Sequence, residues 1–150
     1  MRITTRGRYA LRASLALAKS EKTRKPVSIS KLAEQENISS VFLEQIFFKL
    51  RKAGIVSSTR GPGGGFCFAR PLDQLTVNHI LSAAGENLEL SFCDKRLEEC
   101  DRIGDCISHH VWLDLSRLVN DYFKEITLAS ILEKYGDGPF PISQEAETHE

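Results

Sequence analysis

The chain has 150 residues, equal numbers of acidic and basic side chains, and 41% hydrophobic residues. This is ordinary for one soluble globular domain, with or without an extension, and argues against a wholly disordered chain. No apolar run approaches the roughly 20 residues that span a bilayer, so no membrane contact is expected. The first residues contain no apolar signal sequence, which favours a cytoplasmic, reducing compartment.

The charges are distributed unevenly along the chain. Residues 1–60 contain 13 Lys and Arg against 4 Asp and Glu, whereas residues 61–150 contain 7 against 16. The halves therefore carry net charges of +9 and −9. A basic half favours contact with a polyanion, although two differently solvated faces without a partner would give the same sums.

The first predicted helix covers about residues 5–19, where Ala10, Ala13 and Leu17 recur near helical spacing. Two short helices follow, over about 28–36 and 39–53. Each begins at serines that can cap it, Ser28 or Ser30 and Ser39 or Ser40. Asn37 fits a left-handed turn between these helices, and Ile38 can fill their corner. The apolar stripe of the second short helix consists of Phe42, Leu43, Ile46, Phe47 and Leu50.

Two short strands are predicted next, over about 55–60 and 66–70, joined by a glycine-rich turn over 61–65. Gly54 stands where a helix C-cap belongs. A helix–turn–helix followed by a hairpin is the winged helix arrangement. Its second short helix would enter the major groove of DNA, and its wing would lie on the backbone or minor groove. Cys67, inside the wing strand, is interpreted as a half-buried thiol.

The remaining chain is predicted to form helices over about 76–84, 108–123 and 126–135, with an irregular loop over 93–106. The residues from 136 onward are expected to be disordered. One apolar stripe on the 108–123 helix is wide enough for a core face or a dimer seam. Its members are Val111, Leu115, Leu118, Val119 and Tyr122.

Three cysteines lie close together, with the spacing C-x6-C-x5-C, at Cys93, Cys100 and Cys106. His109 follows as C-x2-H, and His110 is an alternative fourth donor. In a reducing compartment this cluster favours a metal over disulfides. Three thiolates and one imidazole can hold zinc or an iron–sulfur cluster, and three reduced thiols without a cofactor are the alternative.

Several residues of the predicted winged helix match the chemistry of DNA recognition. Gln45 can pair with adenine and Glu44 can accept from cytosine, although both would also suit a solvated helix face. Arg60 precedes the glycine run and can enter a narrow minor groove, unless it is merely a solvated hairpin arginine. The glycine run lacks the order of a nucleotide-binding loop. No catalytic constellation selects an enzyme reaction.

At this point the sequence resembles the IscR-like family of bacterial winged-helix transcription regulators that bind an iron–sulfur cluster. The resemblance covers about residues 1–133. It rests on the following motifs: Met1–Thr4, Gly7–Ala10, Ile38–Ser39, Leu43–Gln45, Leu50–Lys52, Val56–Ser58, Arg60–Gly65, and the three cysteines with His109, Trp112, Asp114–Leu115 and Ile126–Leu128.

The resemblance implies a fold class that is mainly α with a small β wing. It implies a winged helix-turn-helix domain over 1–85, a cluster loop over 86–107, a dimerisation helix and a short helix over 108–135, and a tail over 136–150. It also implies that Cys93, Cys100, Cys106 and His109 ligate a [2Fe–2S] cluster. The DNA contacts that it implies are Ser39, Glu44, Gln45, Arg51, Arg60, Gly61 and Gly63.

The implied function is a homodimeric repressor of iron–sulfur biogenesis genes. It would read palindromic double-stranded DNA and choose its sites by [2Fe–2S] occupancy, with the cluster assembly machinery as donor. A nitric oxide- or redox-sensing regulator of the same family is the first alternative. That branch has an acidic cluster ligand immediately before the tyrosine of the first helix, where this chain has Arg8. A zinc-stabilised constitutive repressor and a cluster carrier are the others.

Overall fold

The computed structural model describes residues 2–20, 25–90, 100–102 and 104–136, so Cys93 and the tail from 137 lie outside the described residues. Helices dominate these ranges, and a two-stranded sheet accompanies them. The prediction of a mainly α fold with a small β wing is confirmed. The elements are α1 (Thr5–Ser20), α2 (Ile29–Glu36), α3 (Ser40–Lys52), β1 (Val56–Thr59), β2 (Gly65–Phe68), α4 (Val77–Ala84), α5 (Ile107–Glu125) and α6 (Leu128–Tyr135).

The helix–turn–helix is formed by α2 and α3, and its corners follow local rules. Ser28 and Ser39 are the N-caps, so one serine of each predicted pair takes this role. Asn37 ends α2 in the left-handed conformation, with φ of 51°, and Ile38 is buried in the corner. The cap of α3 is Ala53 rather than Gly54, and Gly54 follows it with a φ of +72°.

The core of the described chain lies where α1, α3 and α4 meet under the wing. Phe47 of α3 is fully buried and packs edge-on against Phe66 of β2, with ring centroids 5.0 Å apart. This aromatic pair ties the second helix of the motif to the wing. The fully buried large residues are Phe47, Leu17, Leu32, Leu43, Ile46, Leu50, Leu75, Ile80 and Leu128.

The wing is an antiparallel hairpin that is also tied to the start of α2. β1 and β2 pair from Val56 opposite Phe68 to Thr59 opposite Gly65, so both strands are shorter than predicted. Val27 pairs with Phe66 through two backbone hydrogen bonds of 2.9 and 2.8 Å. A side chain at Gly65 would stand 2.4 Å from the Val27 backbone, so glycine permits this approach.

The C-terminal helices join the winged helix through a backbone bridge. Thr76 and Thr127, the N-caps of α4 and α6, lie opposite each other in an antiparallel bridge. The N–H of Val77 donates to the carbonyl of Ile126, and the N–H of Leu128 donates to the carbonyl of Leu75. The end of α5 is therefore fixed to the start of α4. No helix among the described residues is long and apolar enough to cross a membrane.

Candidate nucleic-acid interface and metal centre

Helix α3 has one buried face and one free face. Its exposed stripe, with members three, four and seven residues apart, lies opposite the buried residues Leu43, Ile46, Phe47 and Leu50. The stripe consists of Val41, Glu44, Gln45 and Phe48. The two sequence-predicted base readers, Glu44 and Gln45, therefore stand side by side on the face that is free to enter a groove.

Ser39 lies at the N-terminus of this helix and is exposed. Its hydroxyl oxygen accepts the backbone N–H of Phe42 at 3.4 Å, so its first role is that of a cap. The hydroxyl proton remains a donor for a phosphate or a base edge. A Ser39 substitution would therefore change helix stability as well as any DNA contact.

Arg51 connects α3 to the wing. Its guanidinium donates to the Ser58 hydroxyl of β1 at 3.1 Å and lies 5.7 Å from the centroid of the Phe48 ring. These two contacts hold an exposed positive charge between the helix and the strand. The geometry suits a backbone phosphate that bridges the groove and the wing.

The wing tip presents Arg60, Gly61 and Gly63, all exposed. Gly61 and Gly63 have φ values of +93° and +73°, and the N–H of Gly64 donates to the Gly61 carbonyl at 2.9 Å. These conformations favour glycine, and the missing side chains let the backbone approach a phosphate closely. Arg60 stands where the hairpin ladder ends, so its side chain is not held by the sheet.

A second basic surface lies at the start of α1, beside Phe42 of the recognition helix. Arg2, Arg6 and Arg8 line a cavity of about 660 Å³ there together with Ile3, Thr4, Thr5 and Phe42. Sequence reasoning placed these arginines on the first helix but did not predict that they form a pocket against α3. Their only sequence signal is the basic charge of the first half.

Glu86 holds the start of α1 in place, and no sequence argument singled it out. Its carboxylate accepts the N–H groups of Thr4 and Gly7 at 3.0 and 3.1 Å, and also the Thr4 hydroxyl. Partial burial raises the pKa of Glu86, but the bonds from Thr4 and Gly7 and the charge of Arg6 outweigh it, so the pKa is lowered. Residue 86 is also the first residue after the end of α4, on the segment that leads into the cysteine region.

Cys106 is the N-cap residue of α5 and stands at the end of the cysteine region. Its Sγ lies 3.1 Å from the Ser108 hydroxyl. This hydrogen bond and one from the His109 N–H lower the pKa of the Cys106 thiol below its usual value. A lowered pKa favours the thiolate, which is the form that binds metals.

The two adjacent histidines of α5 occupy different environments. His109 is 6% exposed, and its buried Nδ1 has no hydrogen-bond partner, whereas His110 is exposed. Coordination would give the orphaned nitrogen the partner that it lacks. Cys106 and His109 are one helical turn apart, so a thiolate and an imidazole stand together at the start of α5.

The other predicted ligands are placed less closely. Cys100 is exposed, and Cys93 lies outside the described residues. In the described ranges, no three Cys, His, Asp or Glu side chains are grouped so that they could hold a metal ion. The donor set that is present, one activated thiol and one buried imidazole, fits a metal site that needs further ligands. Cys67 in β2 is half-buried and contacts the Ser57 hydroxyl at 3.2 Å, as interpreted from the sequence.

The apolar stripe of α5 does not contribute to the core of the described chain. Four members of the predicted stripe are 41–68% exposed, while Val119 is half-buried. His109 and Ser116 lie on the opposite, buried side of the helix. Of the two predicted roles, a core face is therefore excluded within one chain, and a seam remains. The exposed members are Val111, Leu115, Leu118 and Tyr122.

Comparison with known proteins settles the family. Residues 3–134 match the profile of the Rrf2 family, described as iron-dependent transcriptional regulators. The chain belongs to the Rrf2 family. Membership confirms the fold and makes this Rrf2 protein a non-enzymatic DNA-binding transcription regulator, as the sequence predicted.

Named relatives agree with this placement. This Rrf2 chain is 41% identical over 138 residues to a Neisseria meningitidis protein named as a candidate HTH-type transcriptional regulator, covering 92% of each chain. It is 37% identical over 132 residues to IscR of Erwinia tasmaniensis, covering 88% of this chain and 79% of that protein. The expected likeness to IscR is confirmed.

Solved structures show the same fold. The structure of CymR, the global cysteine regulator of B. subtilis, superposes with a TM-score of 0.75 at 27% identity, covering 89% of this chain and 98% of that one. T. potens IscR superposes with a TM-score of 0.71 at 27% identity, covering all of this chain and 93% of that one.

Proposed function

We propose that this Rrf2 protein is a repressor that senses iron–sulfur status through a [2Fe–2S] cluster and controls iron–sulfur biogenesis genes. The observation that carries the proposal is the start of α5, where the activated Cys106 thiol and the unpartnered His109 imidazole stand one turn apart. Cys93 and Cys100 complete the ligand set. The cluster assembly machinery supplies the cluster in the cytoplasm.

The cluster, when bound, supplies a group whose presence depends on the supply of iron and sulfide. Histidine is the ligand that protonation removes most readily from such a set, because a neutral imidazole binds metal and an imidazolium does not. His109 therefore makes occupancy sensitive to conditions. Its position on the buried side of α5 puts the ligand between the dimerisation helix and the DNA-binding part of the chain.

The proposed DNA contacts form two surfaces. Ser39, Glu44 and Gln45 read bases in the major groove, and Arg51, Arg60, Gly61 and Gly63 contact the backbone and the minor groove. All seven residues are exposed. Lysine and arginine contacts to phosphates release counterions, so affinity should fall steeply with salt.

The ligand proposal is tested by anaerobic purification, with iron and acid-labile sulfide counted beside the visible spectrum. Cys106→Ser and His109→Ala should lose most of the absorption between roughly 400 and 600 nm. Cys67→Ser is the matched control, because it removes a thiol far from α5 and should keep full colour. Full iron and colour in Cys106→Ser would refute the ligand set, and a colourless protein with stoichiometric zinc would favour the zinc-stabilised repressor.

The DNA proposal is tested by measuring affinity for sites selected from random duplexes, with and without cluster. Arg60→Ala should weaken binding of the selected site and leave the spectrum unchanged. If cluster loss leaves site choice unchanged while nitric oxide alters it, the nitric oxide-sensing alternative replaces the proposal. Rapid cluster transfer to acceptor proteins without sequence-specific binding would instead favour a carrier.

The dimer proposal assigns the exposed stripe of α5 to a second copy of the chain. A dimer with two-fold symmetry reads a palindrome with half-sites about one helical turn of DNA apart. Leu118→Glu places a charge in the seam and should give a monomer by sedimentation. Arg117→Glu, which lies on the same helix outside the stripe, should remain dimeric, and dissociation of both or of neither would contradict the assignment.

A further inference from the structure

The recognition face of α3 carries an apolar side chain that has no apolar neighbour. Val41 is 62% exposed in the first turn of the helix, on the same stripe as Glu44 and Gln45. Phe48, the other exposed apolar member, differs because the Arg51 guanidinium lies over its ring. Val41 is therefore the apolar residue of this stripe that the protein itself leaves open.

The polar groups around Val41 define what can cover it. Ser39 caps the helix just before it, and the basic residues Arg51 and Arg60 stand further along the same surface. A positively charged face with polar base readers fits the major groove of a DNA duplex. The apolar group that base edges expose in that groove is the C5 methyl of thymine.

We propose that Val41 reads thymine, by packing its methyl groups on the C5 methyl of one thymine in each half-site of the operator. This inference rests on the proposed DNA-binding surface and adds a base to it. The position suits the role, because residues in the first turn of a recognition helix are those that reach base edges. Gln45 and Glu44, one turn further on, would read the neighbouring base pairs.

The contact has a measurable size. Covering one methyl-sized group removes about 0.8 kcal/mol of unfavourable hydration, which corresponds to about a fourfold change in affinity. A thymine in each half of a palindrome should therefore contribute about fifteenfold together. No hydrogen bond is gained or lost, so the change isolates an apolar contact.

The test removes the methyl group from the DNA rather than from the protein. A site is selected from random duplexes with the wild-type chain, and each thymine is then replaced singly by deoxyuridine, which lacks only the C5 methyl. One symmetry-related pair of replacements should lower wild-type affinity by about fifteenfold. Val41→Ala should bind the thymine and deoxyuridine sites equally well.

Phe48→Ala is the matched control, since it removes an exposed apolar side chain from the same stripe and should preserve the penalty at the pair assigned to Val41. Equal unfolding temperatures of the variants would confirm that folding is not the cause. Sequence-specific binding without a deoxyuridine penalty, or a penalty that Val41→Ala retains, overturns the assignment to Val41 alone. Failure of the wild-type chain to select any sequence overturns the proposed function as well.

Discussion

Gly7 in the first turn of α1 lies directly beneath the Glu86 side chain, and replacing it with alanine tests how the start of the helix is held. An added Cβ would stand 2.6 Å from Cγ and 2.7 Å from Cδ of Glu86. These distances are too short, so the carboxylate must move away. Its bonds to the N–H groups of Thr4 and Gly7, at 3.0 and 3.1 Å, would then be lost.

The expected cost follows from two opposing effects. Hydrogen bonds to charged groups contribute about 1.5–3 kcal/mol, and we take about 1 kcal/mol for each here because the carboxylate is partly exposed. Alanine gains at most about 1 kcal/mol over glycine in a helix, and less in its first turn. The loss outweighs the gain, and Gly7→Ala should destabilise the protein by about 1–2 kcal/mol, or about 3–6 °C in Tm.

Thermal unfolding followed by circular dichroism measures this change. Gly104→Ala is the control, because nothing lies within 4 Å of a Cβ at that residue. In a Glu86→Ala background the obstruction is gone, so Gly7→Ala should become neutral or stabilising. An equal loss of Tm in both backgrounds would refute the account, since Glu86 would then have no part in the cost.

Further outcomes follow from the same structure. Phe47→Ala, at a fully buried site against Phe66, should cost about 3–5 kcal/mol in chemical denaturation, and a loss below 1 kcal/mol would contradict the packing. Asn37→Ala should cost about 1 kcal/mol while Asn37→Gly stays near neutral, because the φ of 51° favours residues that tolerate the left-handed region. Because the folded pKa of Glu86 is lowered, its contribution is present above the ordinary value of 4.5 and is lost as the pH falls through the folded value. Glu86→Gln should flatten this acid limb in a plot of the denaturation midpoint against pH, and an unchanged limb would count against the carboxylate.

The sequence by itself predicted the features that depend on near neighbours. Helix caps, the left-handed turn at Asn37 and the buried face of α3 follow from interactions within about four residues, so periodicity and turn chemistry locate them. The order of helices and hairpin indicated a winged helix, and the cysteine spacing indicated a metal-binding region. Its errors were small shifts at strand and helix ends, where pairing and capping compete.

Tertiary structure decided what depends on distant residues. The contact between Glu86 and Gly7 joins residues 79 positions apart, and no local pattern encodes it. Periodicity alone also left the α5 stripe as either core or seam, because an apolar face looks the same whether its own chain or a second copy covers it. Only the packing of α4 against the other side of α5 left that stripe open and buried His109 while exposing its neighbour His110. Burial is a property of the assembled chain, whereas sequence spacing specifies only which residues share a face.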